Sequence, residues 1–318
     1  MSISEKIKKT YSARDRRKFW FAYVLLIVPI LHLIVFYFYV NVDSFFLSFQ
    51  DQWGNFTLYN FERVWKGFTA AGADGYLRIE LLRSMATWVV GNFIVFPLSV
   101  IMSYVLFKKI PLNMMFRVLL YLPTMLGGVV MVKLYTYILA TDGPVMALLQ
   151  ALGVNVSGLI QTGFLYTDGY AFASILLYGV WLNVGGNIVV LTGAFVRIPQ
   201  EIFEAGKLDG VGFFREFFQL AIPLIYPTLN TLMIFTMSSI FTADYGTFIF
   251  NGTGMNGTST LGFRLFYEVY LVVNAGLGDG ATAYGYPAAI GWVVSIITIP
   301  LVLLWRKLLE KHLEASQY

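Results

Sequence analysis

The chain has 318 residues, of which 58% are hydrophobic and only 13% charged, with a net charge of +4 and no cysteine. Soluble domains carry about a quarter charged residues, so this composition, with a mean hydropathy of +0.68, places the chain in a membrane and excludes a water-soluble enzyme or binding module. The lack of cysteine excludes disulfides and thiolate metal sites, and His32 and His312 are too far apart in sequence to suggest a metal centre. The positive charge is to be read loop by loop, and nucleic-acid binding is not implied.

Lys6, Lys8, Lys9, Arg14, Arg16, Arg17 and Lys18 crowd ahead of an apolar run, 19–40, about long enough to cross a ~30 Å hydrocarbon core. The stretch after it, NVDSFFLSFQDQWGNF, offers no small-residue cleavage site, so the run reads as an uncleaved first span with residues 1–18 on the cytoplasmic side. Residues 41–83 mix Asp43, Asp51, Glu62, Arg63, Lys66, Asp74, Arg78, Glu80 and Arg83 with aromatics and hold no run of spanning length, which predicts an external segment. Further spans are predicted at 84–107, 118–140, 170–196, 224–250 and 284–305, with an external amphipathic helix from Pro144 to Leu152 stopped by Gly153. Lys108, Lys109 and Arg117 mark the second-to-third connection as cytoplasmic, and Arg306, Lys307 and Lys311 do the same for the tail, 307–318. Six spans with both ends inside is the self-consistent reading: an all-α integral membrane protein.

One polar stretch interrupts the apolar sequence, RIPQEIFEAGKLDGVGFFREFFQLAIP at 197–223. Pro199 suits the first helical position, Glu201 and Glu204 suit the positive end of a helix dipole, and Gly210 can leave the helix with positive φ. Phe213, Phe214, Phe217 and Phe218 then predict one apolar stripe on a second helix, with Arg215, Glu216 and Gln219 on its other side. The expected product is a short helical hairpin between two membrane spans.

Glu204, Ala205, Gly206, then Gly210, then Leu220, Ile222 and Pro223 resemble the E-A-A, three residues, G, nine residues, I-x-L-P pattern of the permease subunits of binding-protein-dependent ABC importers. Asp209 and the Ile198-Pro199 pair resemble the carbohydrate branch, the maltose-type and glycerol-phosphate-type permeases. Gly206 departs from the second Ala, at a helix cost of roughly 1 kcal/mol; Leu220 and Ile222 depart conservatively. The resemblance covers roughly 84–306 and implies a MetI-like type I importer fold, preceded by an additional span (19–40) and the external segment (41–83). It also implies that Glu204, Ala205, Gly206, Asp209, Gly210 and Pro223 couple the chain to a separate ATPase. The implied assembly is a second similar permease, two ATP-binding subunits that hold the ATP and magnesium, and an extracellular solute-binding protein, in a bacterial cytoplasmic membrane. No cofactor, metal or catalytic residue is implied for this chain.

Polar side chains inside apolar spans are informative, because an ionisable group in hydrocarbon costs several kcal/mol unless it faces a cavity or a partner. Asp244, read as lying near the outer end of the fifth span, resembles an acidic position of the sugar permeases. Asn183 and Asn187 sit one turn apart on the fourth span. With Trp181 and Tyr245 supplying aromatic surface, these are the candidate pathway residues for a hydroxyl-rich substrate. Asp244 has two further readings, a cap for its helix end or a partner for Lys133, and Lys133 itself either pairs or snorkels outward. The sequence has no G-x-x-x-x-G-K-[ST] phosphate loop, so ATP hydrolysis is not expected of it. A secondary transporter or channel is the alternative; it predicts inverted repeats, of which none is evident.

Overall fold

The computed structural model describes residues 13–316 except 52, 109–110, 112, 253–256 and 275–283. Lys6, Lys8, Lys9 and Lys109 therefore lie outside the described residues. Five helices are long and apolar enough to cross a membrane, and a bent pair makes a sixth candidate. Among the described residues the one extended pairing is an isolated bridge between Gln50 and Phe56.

Helix α1, Phe19–Ser48, runs past the predicted end at residue 40, and none of its apolar window is covered by the rest of the chain. A helix that is apolar all round belongs in lipid or against another protein. Only its last turns are held, where Phe45 packs edge-on against Trp292 at 5.1 Å. The segment 41–83 is thus largely helical: the tail of α1, then α2 (Tyr59–Thr69), then the first turns of α3 (Tyr76–Phe107). Asn60, buried on α2, ties it to the end of α1 by donating to the carbonyls of Ser48 (3.2 Å) and Gln50 (2.7 Å). Helix α3 starts at Tyr76 instead of residue 84, because Glu80, read as external, turns inward and finds a partner in Arg264 at 2.6 Å.

The predicted straight span at 118–140 is two helices, α4 (Asn113–Met125) and α5 (Gly128–Ile138), bent by 113°. The cause is Gly127, whose extended backbone (φ −61°, ψ 139°) cannot continue a helix, just after Pro123, which has no N–H to give to the ladder. Helix α6, Pro144–Ala151, and the span α7, Tyr170–Val196, fall where the sequence places them. Beyond α7 come the short α8 (Gln200–Leu208) and the long α9 (Phe213–Ser238). The second hairpin helix and the fifth span, expected as separate pieces, are one helix. A π-helical turn, Glu216–Ala221, carries the chain across Pro223 without a break. Helix α9 stops at Ser238, far short of residue 250, and an irregular turn leads into α10 (Thr247–Asn251). Helix α11 (Leu261–Asn274), which the sequence reading did not include, precedes the last span, Gly285–Leu309, within α12 (Gly285–Ser316).

Two apolar cores define the ends of the bundle. At the hairpin end Phe96 and Tyr104 of α3, Phe195 of α7, Phe203 of α8 and Phe217 of α9 pack together. At the opposite end Leu77, Met237, Leu261 and Ile290 join α3, α9, α11 and α12. A third, containing Met131, Tyr135, Tyr178 and Phe250, joins α5, α7 and α10.

Candidate functional site

The hairpin is built by its caps. Pro199 is the residue before the first helical turn of α8, one position earlier than predicted, and its carbonyl accepts from Ile202 N at 3.2 Å. At the other end Gly210 takes φ +72°, Val211 N donates to Gly206 O (2.9 Å) and Gly210 N to Lys207 O (3.1 Å), a Schellman closure that only glycine adopts without strain. Helix α8 buries Phe203 and Gly206 and presents Glu201, Glu204, Ala205 and Lys207 outward, followed by Asp209. Leu208 is 90% exposed, an apolar side chain in a position that a partner surface would cover. The departures at 206 and 220 meet in space: a Cβ on Gly206 would lie 2.9 Å from Leu220 Cδ1, so the δ-branch of Leu is accommodated by the missing methyl.

The predicted stripe on α9 is corrected by the structure. Of the four phenylalanines only Phe217 is buried, while Phe213, Phe214 and Phe218 are exposed. Glu216, assigned to the solvated side, is 5% exposed. A buried carboxylate requires partners. Tyr104 Oη donates to Glu216 Oε1 at 2.6 Å, and Lys108 Nζ forms an ion pair with the same oxygen. The Lys108 ammonium also lies 4.5 Å from the centre of the Phe203 ring, within cation–π range. Sequence reasoning missed this trio; the available signal was an acid set among four phenylalanines.

Of the residues predicted for the pathway, Trp181, Asn183 and Tyr245 meet near Gly179 of α7. The Tyr245 ring lies directly on the backbone of Gly179, where an added Cβ would meet ring carbons at 1.9 to 2.4 Å. Its hydroxyl reaches α3, 3.5 Å from Thr87 O and 3.3 Å from where a Cβ on Gly91 would be. Gly91 opens a π-helical turn, Gly91–Val95, a feature that recurs at functional sites. Trp181 and Tyr245 both pack against the Tyr135–Tyr178 cluster, and Asn183 Nδ2 donates to Gly179 O at 2.8 Å. Asn187 is half-buried one turn further along α7.

Asp244 is placed differently from the expectation, since it lies in the turn after α9 and outside any span. Its Oδ2 accepts from Gly246 N (2.9 Å) and Thr247 N (3.0 Å), and its Oδ1 from Thr247 Oγ1 (2.6 Å) and Thr260 Oγ1 (3.0 Å). Four donors fill a carboxylate's acceptor capacity and tie the turn to the start of α10, not to the outer end of α9 as the capping reading had it. Lys133 is exposed on α5, and among the described residues no ion pair joins it to Asp244. Next to the Asp244 turn, buried Glu80 accepts from Ser259 Oγ (2.7 Å) and from Arg264 Nη2 (2.6 Å), which locks the start of α3 to α11.

The fold is that of an ABC importer permease: it superposes on a bacterial ABC transporter involved in import of the acidic polysaccharide alginate, with TM-score 0.75 and 16% identity over 94% of this chain and 98% of that one. A second structure of a bacterial alginate transporter, in complex with an alginate pentasaccharide-bound periplasmic protein, aligns with TM-score 0.72 at 14% identity over 94% and 97%. No family model matches the chain. It is 27% identical to the multiple sugar-binding transport system permease protein MsmF of Streptococcus mutans over 92% of this chain and 96% of that protein. It is 26% identical to the probable ABC transporter permease protein YurN of Bacillus subtilis over 89% and 94%. The chain is accordingly a multi-pass membrane protein with the MetI-like fold of ABC-importer permeases, similar to sugar-transport permeases along about nine-tenths of its length.

Proposed function

We propose that the chain forms half of the membrane channel of a carbohydrate importer and works without catalytic residues of its own. It receives a sugar from an external solute-binding protein, pairs with a second similar permease, and is driven by two separate subunits that bind ATP and magnesium. The observation that carries this reading is the hairpin: a short helix, closed by Gly210 and tipped by exposed Leu208, projecting between two membrane-long helices. That is a docking element, and Glu204, Ala205, Gly206, Asp209, Gly210 and Pro223 form or brace it. The names of the similar permeases support sugar as the cargo class. Residues 84–306 would form the shared transport unit in a bacterial cytoplasmic membrane, with 1–18, 197–223 and 307–318 on the cytoplasmic side and most of 41–83 outside. Trp181, Asn183, Asn187 and Tyr245 would line the path, their amides and aromatic faces suiting a ligand rich in hydroxyls and poor in apolar area, while Asp244 holds the turn that presents Tyr245.

The reading is tested with the purified complex in liposomes. Uptake of labelled oligosaccharide should require both ATP at the hairpin face and the loaded binding protein at the other. Uptake driven by an ion gradient without ATP would establish a secondary transporter instead. Because the chain has no cysteine, single cysteines at 207 and 162 give the sidedness: a membrane-impermeant thiol reagent on intact cells should label position 162 and spare 207.

A further inference from the structure

We propose that Glu216, Lys108 and Tyr104 form a rigid joint that makes the hairpin and α3 move as one body, so that a displacement of α8 is delivered to the seat of Tyr245. This rests on the function proposed above. Helix α8 has nine residues, of which Phe203 and Gly206 are the buried ones, too small a footing to transmit a push by packing alone. The Lys108 ammonium joins three elements: it follows α3 directly, it pairs with Glu216 of α9, and it lies against Phe203 of α8. Aromatic contacts close the gaps around it, Phe107 to Phe203 at 5.5 Å, Tyr104 to Phe217 at 4.8 Å and Tyr104 to Phe213 at 5.3 Å.

A buried ion pair is a poor device for stability, since apolar residues of similar volume do as well or better, but it fixes geometry sharply. Sliding α9 along α3 would pull Glu216 away from Lys108 and Tyr104 and leave a charge unpaired in a medium of low dielectric, and sliding α8 would draw Phe203 off the Lys108 ammonium and the Phe107 ring. The joint therefore resists shear and favours rotation of the whole unit. From Lys108 the push runs along α3 to Gly91, a helical distance of roughly 25 Å at 1.5 Å per residue. There it meets the π-helical turn and the Tyr245 hydroxyl. Glu216 itself opens the π-helical turn of α9, so both ends of the path carry the same irregularity.

Two measurements on the reconstituted complex test the joint, each scaled to uptake by the unmodified complex, whose own failure to import sugar with ATP would refute the transport reading and not the joint. In the first, Phe107→Cys and Phe203→Cys are combined and bridged by a short bifunctional thiol reagent. The same assembled sample is assayed before and after bridging, and uptake should be retained, because the two positions do not move relative to each other. Loss of uptake on bridging would show that α8 slides on α3 and would overturn the proposal. In the second, Glu216→Gln and Lys108→Met should each lower sugar imported per ATP hydrolysed by about tenfold, a fraction of what breaking a buried pair costs. The double variant, which leaves no unpaired charge, should recover to within about threefold of the unmodified ratio. Unchanged ratios in both single variants, or a double variant no better than the worse single one, would equally refute it.

Discussion

Gly179→Ala is the smallest change that tests whether Tyr245 is seated as described. The added Cβ would stand 1.9 Å from Cδ2, 2.3 Å from Cε2 and 2.4 Å from Cγ of Tyr245. Carbon atoms rest at about 3.5–4.0 Å, so the ring must retreat by roughly 1.5 Å. Cγ lies close to the χ1 axis, so a small adjustment of the side chain does not provide that distance and the ring must leave its rotamer or the backbone must shift. The backbone cannot follow freely either, since the Asp244 carboxylate holds the turn at Gly246 and Thr247. Forced overpacking of this kind costs about 1–3 kcal/mol, equivalent to about 5- to 150-fold in the population of the seated state. Thermal melting of the purified complex and uptake by cells at equal expression should both fall in Gly179→Ala. Tyr245→Ala, which empties the space, should make the second substitution nearly silent, giving a coupling energy of about 1 kcal/mol or more in the double-mutant cycle. If Gly179→Ala melts and transports like the parent, or if the two substitutions simply add, the wedge is not where the structure puts it.

At the hairpin, Gly206→Ala should depress sugar-stimulated ATP hydrolysis, and Leu220→Ile in the same chain should restore it by moving one of the two δ methyls in to the γ position and leaving room for the new Cβ; ATP hydrolysis no higher in the pair than in Gly206→Ala alone would separate the two positions. Asp244→Asn sets an amide N–H₂ or a weakened acceptor against the backbone donors of Gly246 and Thr247, at a cost of about 1–3 kcal/mol. The yield of assembled complex should drop while the range of sugars taken up stays the same, and a changed sugar range at normal yield would make Asp244 a ligand. Arg264→Leu strands the Glu80 carboxylate, which is 2% exposed, and should destabilise by about 3–5 kcal/mol; adding Glu80→Gln should return a large part of the lost melting temperature, and no recovery would mean that Arg264 matters for something other than that charge.

Hydrophobic run length and turn chemistry carried much of the architecture. Helix α7 matches its predicted bounds because its apolar run is set off by Gly169 on one side and by Arg197 and Pro199 on the other, and the Gly210 turn was legible because a helix stop with positive φ has few alternatives to glycine. What escaped was decided by contacts distant in sequence or by backbone geometry to which hydropathy is blind. The run from 118 to 140 is apolar apart from Lys133 and long enough for one span, although its backbone turns at Gly127. Glu216 read as solvated because helical periodicity sees only its own helix, whereas its partners Tyr104 and Lys108 lie more than a hundred residues earlier. Asp244 was assigned to a span because the apolar residues around it continue beyond the point where α9 stops.

The elbow between α4 and α5 bears on how the protein is made. At 1.5 Å per residue neither arm, of 13 and 11 residues, spans a ~30 Å hydrocarbon layer, so neither leaves the translocon as a conventional stop-transfer segment. A bend at membrane depth is tolerated only where protein shelters its peptide groups. Helix α7 covers the arm before the elbow, so closely that a Cβ on Gly185 would lie 2.0 Å from the Leu120 carbonyl oxygen, while residues 124–130 at the elbow itself are exposed on this chain. Helix α7 emerges from the ribosome only after α4, α5 and the α6 region have been synthesised, so the third span must wait, unfinished, for the fourth. Nascent chains truncated before Tyr170 should accordingly expose this region to chaperones and membrane proteases, and chains extended past Val196 should not.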